Sequence, residues 1–371
     1  MHIYIGGAGG FGKYIAKQLL QKKLHIDAFV DNNVLDDVLG ITVIKPSEMV
    51  KENDSICIVA INNVFDRQNF VIDVISTGYK SVYIADSNVF FAELSIIDDK
   101  GEIEKGFLSH YSDIKPIFPY IEYHLADTCN LNCRRCGHCA NIATDPKFPD
   151  IDLFKENLIN LKNLFSNIDI LRLMGGEPLI NKNYPAFVEA AAEVFPKTNL
   201  YIVTNGLLLI KQKNEDIYRV RDKAIFQISQ YPPTRKCMNE IISWANKMQV
   251  TVQVSPPVTF FYAVLSRNRD KDLKKVFNNC ISKACYFMRD NYLLPCPFPW
   301  IAKEYSDYLE LPDTSEMLIN NVVNLKNTTL DGWEILKKFY FNNDYCTFCS
   351  DNYMVHEWEC GAGGAQDWFA E

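Results

Sequence analysis

YIEYHLADTCNLNCRRCGHCAN (120–141) joins a strand pattern, YIEYHLA (120–126), to a loop crowded with Cys129, Cys133, Cys136 and Cys139. Thiolates at this density bind zinc or an iron–sulfur cluster. Four thiols suit a tetrahedral zinc and a closed electron-transfer cluster equally, so the loop alone is only moderately specific. Its surroundings add more. IDILRLM (168–174) runs straight into GGEPL (175–179), TNLYIVT (198–204) ends in Thr204-Asn205-Gly206, and KAIFQIS (223–229) ends at Ser229. Each polar element stands just past the C-terminal end of an expected strand, as the cysteine loop does. In a β/α barrel those ends share one mouth, so distant stretches converge on one site. A structural zinc knuckle has no need of such convergence.

Outward from this centre the chain reads as α/β in three segments. VTVQVS (250–255) adds a fifth strand to the central run. DLFKENLINLKNLF (152–165), YPAFVEAAAEVF (184–195) and RKCMNEIISWANKM (235–248) supply the helices between strands. The expectation is a partial β/α barrel over 115–270. Upstream, HIYIG (2–6), HIDAFV (25–30), SICIVAI (55–61) and SVYIAD (81–86) alternate with helices at 13–23 and near 66–77. That rhythm predicts right-handed crossovers and a parallel, Rossmann-like sheet over 1–105. The polar, turn-rich DDKGEIEKG (98–106) marks the boundary. From 275 to 371 the pattern breaks into short elements and cysteines, as in a small domain held by metal.

Composition narrows the function classes. The net charge of −8, with Lys and Arg scattered, argues against a nucleic-acid binder and against a polybasic membrane patch. No run of 18 apolar residues is present to span a bilayer, and the start MHIYIGGAGGFG is a strand entering glycines rather than a targeting segment. A cytoplasmic location follows, where thiols stay reduced and twelve cysteines point to metal or redox chemistry. The isolated Cys57 and Cys237 read as small buried hydrophobes. No GxSxG nucleophile elbow appears.

CxxxCxxC after the first barrel strand, with GGEP after the second, resembles the radical SAM superfamily. The resemblance implies that Cys129, Cys133 and Cys136 ligate three irons of a [4Fe–4S] cluster, leaving the fourth open to S-adenosylmethionine (SAM). Gly175, Gly176 and Glu177 match the motif that binds the methionine amino group. Thr204, Asn205 and Ser229 fall where the family contacts the nucleoside or the methionine carboxylate. Two features depart from the pattern: Arg135 replaces an aromatic residue common before the third cysteine, and Cys139 is a fourth thiol the chemistry does not require, read here as free or structural. CNLNCRRCGH…GGEPL…TNGLLL…ISQYP is also similar, over about 110 residues, to a radical SAM group found among surface-polysaccharide genes.

Cys285 and Cys296 flank YFMRDNYLLP, which reads as a hairpin turning at Asp290-Asn291, and CTFC (346–349) supplies a second pair. Two plus two completes a Cys₄ set for zinc or a cluster. The arrangement is similar to the Twitch domain, the shortened SPASM extension of radical SAM enzymes. It implies an auxiliary [4Fe–4S] cluster on Cys285, Cys296, Cys346 and Cys349, with Cys280 as a substitute for Cys285 and Cys360 as an alternate ligand.

At the start, GAGGFG (7–12) follows a strand and opens a helix. Gly7, Gly9 and Gly12 fit a phosphate-binding turn, and Asp31 ends the next strand where a ribose hydroxyl is held. The bland alternative is a Rossmann-like domain that binds nothing. GGAGGFGKYI…AFVDNN…LGITVI resembles the N-terminal domain of bacterial sugar O-acyltransferases, which implies a nucleotide sugar, with NAD as the rival ligand.

The resulting expectation is an enzyme that cleaves SAM to a 5′-deoxyadenosyl radical, takes hydrogen from a small-molecule substrate, and draws electrons from a flavodoxin or ferredoxin. A sugar or nucleotide sugar in surface-polysaccharide biosynthesis, oxidised or epimerised, is the favoured substrate. The alternatives are a peptide-maturing radical SAM enzyme and a non-catalytic zinc or electron-carrier protein with a Rossmann adaptor.

Overall fold

The structure, a computed structural model, describes residues 2–34, 36–51, 55–86, 108–145, 147–312, 320–341, 343–361 and 363–371. The expected boundary at 98–106 lies outside the described residues. The chain divides into two compact units, Met1–Pro116 and Ile117–Glu371. No helix among the described residues is long and apolar enough to cross a membrane.

The first unit is built on β1 (His2–Gly6), β2 (Ala28–Val30), β3 (Val43–Ile44), β4 (Ser55–Val59), β5 (Val82–Ala85) and β6 (Leu108–His110). They form one sheet in the order β3-β2-β1-β4-β5-β6, parallel except for β6. The order doubles back at β1, as in a Rossmann-like sheet. Helices α1 (Gly10–Gln21) and α2 (Val64–Ser76) make the crossovers. The apolar run of β4 is buried along its whole length, Cys57 included, as a parallel central strand requires. Asn63 starts α2 by accepting hydrogen bonds from the backbone N–H groups of Phe65 and Asp66.

The second unit carries the five expected strands, β7 (Ile117–Ala126), β8 (Asn167–Gly175), β9 (Asn199–Thr204), β10 (Ile225–Gln230) and β11 (Val252–Pro257), all parallel. Helix α3 (Ile151–Leu164) begins at Asp150, whose carboxylate caps the N–H groups of Asp152 and Leu153. It buries Phe154, Leu158 and Leu161 on one face. Tyr123 of β7 packs on Phe154 and on Phe187 of α4 (Tyr184–Val194). The helix expected over 235–248 is broken at Cys237, whose φ of −111° and ψ of 12° separate Pro232–Lys236 from Met238–Met248.

The segment from 275 onward belongs to the same compact unit as these strands. The expected hairpin is present as β13 (Phe287–Arg289) and β14 (Tyr292–Leu294), with Asp290 at φ 49° in the turn. β13 pairs in parallel with β7, so the barrel sheet continues through β14 to β15 (Val323–Asn324). One sheet of eight strands therefore spans both expected segments. A separate two-stranded ribbon, β12 (Phe260–Leu265) with β16 (Cys349–Glu357), had no sequence expectation.

Candidate functional site

The cysteine loop leaves β7 at Ala126 and winds tightly, with Asn132, Arg135 and Cys139 all at positive φ. Cys129, Cys133 and Cys136 line a cavity of about 320 Å³ together with Gly175 and Gly176 from β8, Thr204 and Asn205 from β9, and Ser229 from β10. Four stretches far apart in sequence thus meet at the strand ends. Cys139 is turned away: it is fully buried among Leu265, Phe287, Leu294 and Trp300. Burial pushes the Cys129 and Cys133 thiols up to about 12, and the neighbouring thiolates reinforce the shift. Burial thus keeps these groups as neutral thiols, and only a bound cation would stabilise all three as thiolates, which fits the donor set of an iron–sulfur cluster. Among the described residues no three His, Cys, Asp or Glu side chains converge on a point able to hold a single metal ion.

The two glycines of GGEP serve the loop. A Cβ on Gly175 would stand 2.2 Å from the Ala126 carbonyl oxygen, and one on Gly176 would stand 2.2 Å from that of Thr128. The backbone of β8 can close on the root of the cysteine loop only without side chains there. The Gly176 N–H then donates to Ala126 O at 2.8 Å and the Glu177 N–H to Thr128 O at 3.0 Å.

Glu177 does not line the cavity. Its carboxylate is fully buried, accepting from Thr204 Oγ1 at 2.6 Å, Leu179 N at 3.1 Å and Asn205 N at 2.9 Å. It ties the end of β8 to the end of β9, with its oxygens turned toward those donors. Burial lifts its pKa to about 7 against the three hydrogen bonds that lower it. The folded chain thus favours the protonated acid. That contribution is complete below about 4.5 and is lost as pH rises through about 7. We expect the urea midpoint of the natural chain to fall relative to Glu177→Gln between pH 4.5 and 8. A loss on the order of 3 kcal/mol corresponds to that span, and parallel pH profiles would show that Glu177 is ionised at no such cost.

Reasoning from sequence missed several groups. His138 lines the cavity, and its ring sits 2.9 Å from the ring of His124, which is fully buried against Phe287 and Trp300. Burial drives His124 down to about 3, so it stays neutral. Tyr231 and Phe261 form an aromatic wall of the same cavity. Trp358, Asp367 and Trp368 pack on the cysteine loop. Trp358 Nε1 donates to Cys133 Sγ at 3.2 Å, Trp368 Nε1 to Cys136 O at 3.1 Å, and Arg134 meets Asp367 through two hydrogen bonds of 2.8 and 2.9 Å. The contacts of Trp358, Asp367 and Trp368 have no local signal, because their partners are more than 220 residues apart in sequence.

In the last quarter the structure brings Cys280, not Cys285, to Cys296, Cys346 and Cys349, where the four line one small cavity. Cys285 lies by Glu122 and Arg172. The hairpin register ends at the Phe287–Leu294 pair. Beyond it Pro295 has no N–H for a further rung, so Cys285 and Cys296 are not held opposite each other. Cys280 arrives instead from the end of the helix Leu273–Asn278. Burial raises all four thiols, and the charges of neighbouring thiolates add to the rise at Cys296, Cys346 and Cys349.

In the first unit, a Cβ on Gly12 would stand 1.8 Å from Gly7 O, so the turn and helix start are in direct backbone contact. Gly9 faces open space. Asp31 lies beside them: its carboxylate accepts from Ala8 N at 2.9 Å, Asn33 N at 2.8 Å and Val34 N at 3.1 Å. Burial raises its pKa, but these bonds outweigh that and hold the carboxyl below its ordinary range.

Residues 2–74 match the model of the PglD N-terminal domain. Part of the chain is similar to GTP 3′,8-cyclase of Campylobacter curvus, 29% identical over 121 residues, covering 30% of this chain and 34% of that one. The GTP 3′,8-cyclase of Trichodesmium erythraeum is 34% identical over 111 residues, covering 27% and 31%. The chain thus spans about a third of the length of the curated relatives it matches. Among solved structures, that of BtrN in complex with AdoMet and 2-DOIA is similar at a TM-score of 0.38 and 17% identity, over 65% of this chain and 100% of that one. Residues 2–74 thus carry the likeness to the PglD N-terminal domain, and a separate stretch of under a third of the chain carries the likeness to the GTP 3′,8-cyclases.

Proposed function

We propose that the chain holds a [4Fe–4S] cluster on Cys129, Cys133 and Cys136 and uses it to cleave SAM reductively, so that the 5′-deoxyadenosyl radical takes hydrogen from a substrate. The observation that carries this reading is the single cavity shared by the three thiols and the ends of β8, β9 and β10. With three cysteines on one wall and the fourth, Cys139, in the apolar core, one iron is left without a protein thiol. An open coordination position distinguishes a catalytic metal site from a closed structural one. Gly175 and Gly176 offer backbone to SAM, Asn205 and Ser229 offer polar side chains, and Tyr231 and Phe261 exclude water from one side.

The cavity of Cys280, Cys296, Cys346 and Cys349 supports an auxiliary [4Fe–4S] cluster, which would accept an electron from a substrate radical or return one. The reaction is then an oxidation or an epimerisation, with reducing electrons from a flavodoxin or ferredoxin. A nucleotide sugar is the favoured substrate class. The parallel sheet of the first unit, with its glycine turn at a helix start and Asp31 beside it, supports a nucleotide ligand there, the sugar nucleotide ranking above NAD. Surface-polysaccharide biosynthesis in the cytoplasm is the setting that suits such a substrate and twelve free thiols.

Anaerobic reconstitution, iron counting and an assay for 5′-deoxyadenosine with dithionite and SAM test the reading. About eight irons per chain and SAM cleavage are expected. Deuterated nucleotide sugars should pass label into 5′-deoxyadenosine. Tightly held zinc, with no SAM cleavage in the presence of candidate substrates, would overturn it.

A further inference from the structure

The stretch 358–361 lies against the cysteine loop as a short antiparallel ladder. Arg134 N donates to Glu359 O at 2.9 Å and Gly361 N to Asn132 O at 2.8 Å, which sets Cys360 opposite Cys133. Alternation along an extended strand puts Trp358 on the same face as Cys360, toward Cys133. The indole Nε1–H, which can only donate, ends 3.2 Å from Cys133 Sγ. The ladder is pinned from both sides: Arg135 Nη1 reaches Glu359 at 2.5 Å, and Asp367 receives Arg134 in a two-pronged pair.

We propose that Trp358 is a positioning residue for the first cluster, its indole N–H bonding the Cys133 thiolate and raising the cluster's reduction potential. This rests on the cluster reading above. Reduction adds negative charge that spreads onto the ligand sulfurs, and a donor aimed at one of them stabilises the reduced state more than the oxidised one. Trp358 does not line the cavity and acts only through Cys133.

The test is an EPR-monitored redox titration of reconstituted holoprotein, natural chain against Trp358→Phe, following the signal that SAM perturbs. At fixed ambient potential the reduced-to-oxidised ratio should drop about tenfold, a midpoint shift of about 59 mV to more negative values for one electron, with iron content unchanged. Nitrogen-15 ENDOR on the natural protein with labelled indole should show coupling to the reduced cluster, a readout that needs no variant to fold. Full iron with equal midpoints, or with no indole coupling, overturns the inference and leaves the cluster reading standing. A natural protein that takes up no iron overturns both.

Discussion

Cys133→Ala takes the reconstituted protein from about eight irons to about four and lowers 5′-deoxyadenosine formation to the uncatalysed background. Two thiols, Cys129 and Cys136, remain at the cavity, and neither nearby cysteine replaces the third. Cys139 is packed in the apolar core, and Cys360, although opposite Cys133 in register, does not line the cavity. Cys139→Ala accordingly keeps all eight irons and full cleavage. The same count separates the two ligand sets in the last quarter: Cys280→Ala loses four irons, while Cys285→Ala keeps eight, because only Cys280 faces Cys296, Cys346 and Cys349. Iron retention in Cys280→Ala with loss in Cys285→Ala would restore the set expected from the hairpin. SAM cleavage persisting in Cys133→Ala would refute the assignment of the first cluster.

Arg289→Met is expected to cost about 3–5 kcal/mol of stability and to impair iron loading. Arg289 in β13 meets Asp127 through two bonds of 2.8 Å, and both side chains are nearly inaccessible, at 11% and 3%. The guanidinium also lies 4.9 Å from the centre of the Trp300 ring, and Asp127 has His124 at 3.6 Å on its other side. Burial works against the Asp127 charge, but the nearby His124 ring and the two bonds from Arg289 hold its pKa below the ordinary range. Removing the arginine leaves an unpaired carboxylate under the first turn of the cysteine loop. Removing both charges at once, in Asp127→Leu with Arg289→Met, should recover a large part of the loss, since an apolar pair substitutes well for a buried ion pair. Urea unfolding of the two variants checks this. A loss below about 1 kcal/mol in the single variant would mark the pair as solvent-screened.

Most of the scaffold was legible because its strands are apolar runs of parallel-sheet type, as in SICIV and NLYIVT, and its helices carry apolar residues at turn spacing. The hairpin was legible from Asp290-Asn291, a turn chemistry with a local cause. The cysteine loop and its three companion strand ends were also legible, since the rule that places them is topological. What failed depended on direction or distance. The motif names Glu177 but not the way its carboxylate points, and three backbone and hydroxyl donors at neighbouring strand ends draw it inward. Counting two cysteines per hairpin ignored Pro295, which ends the ladder. The polar strand CSDNYMVHE pairs with FFYAVL across more than eighty residues, and neither alternates in a way that announces the other.

The contacts of Trp358, Asp367 and Trp368 with the loop also bear on the order of events during synthesis. The loop leaves the ribosome 225 residues before Trp358 does. At about 5–20 residues per second, roughly 11–45 s pass in which the three thiols exist without their indole donor or their arginine clamp. Any cluster assembled in that interval forms on a looser, more water-exposed loop than the finished one.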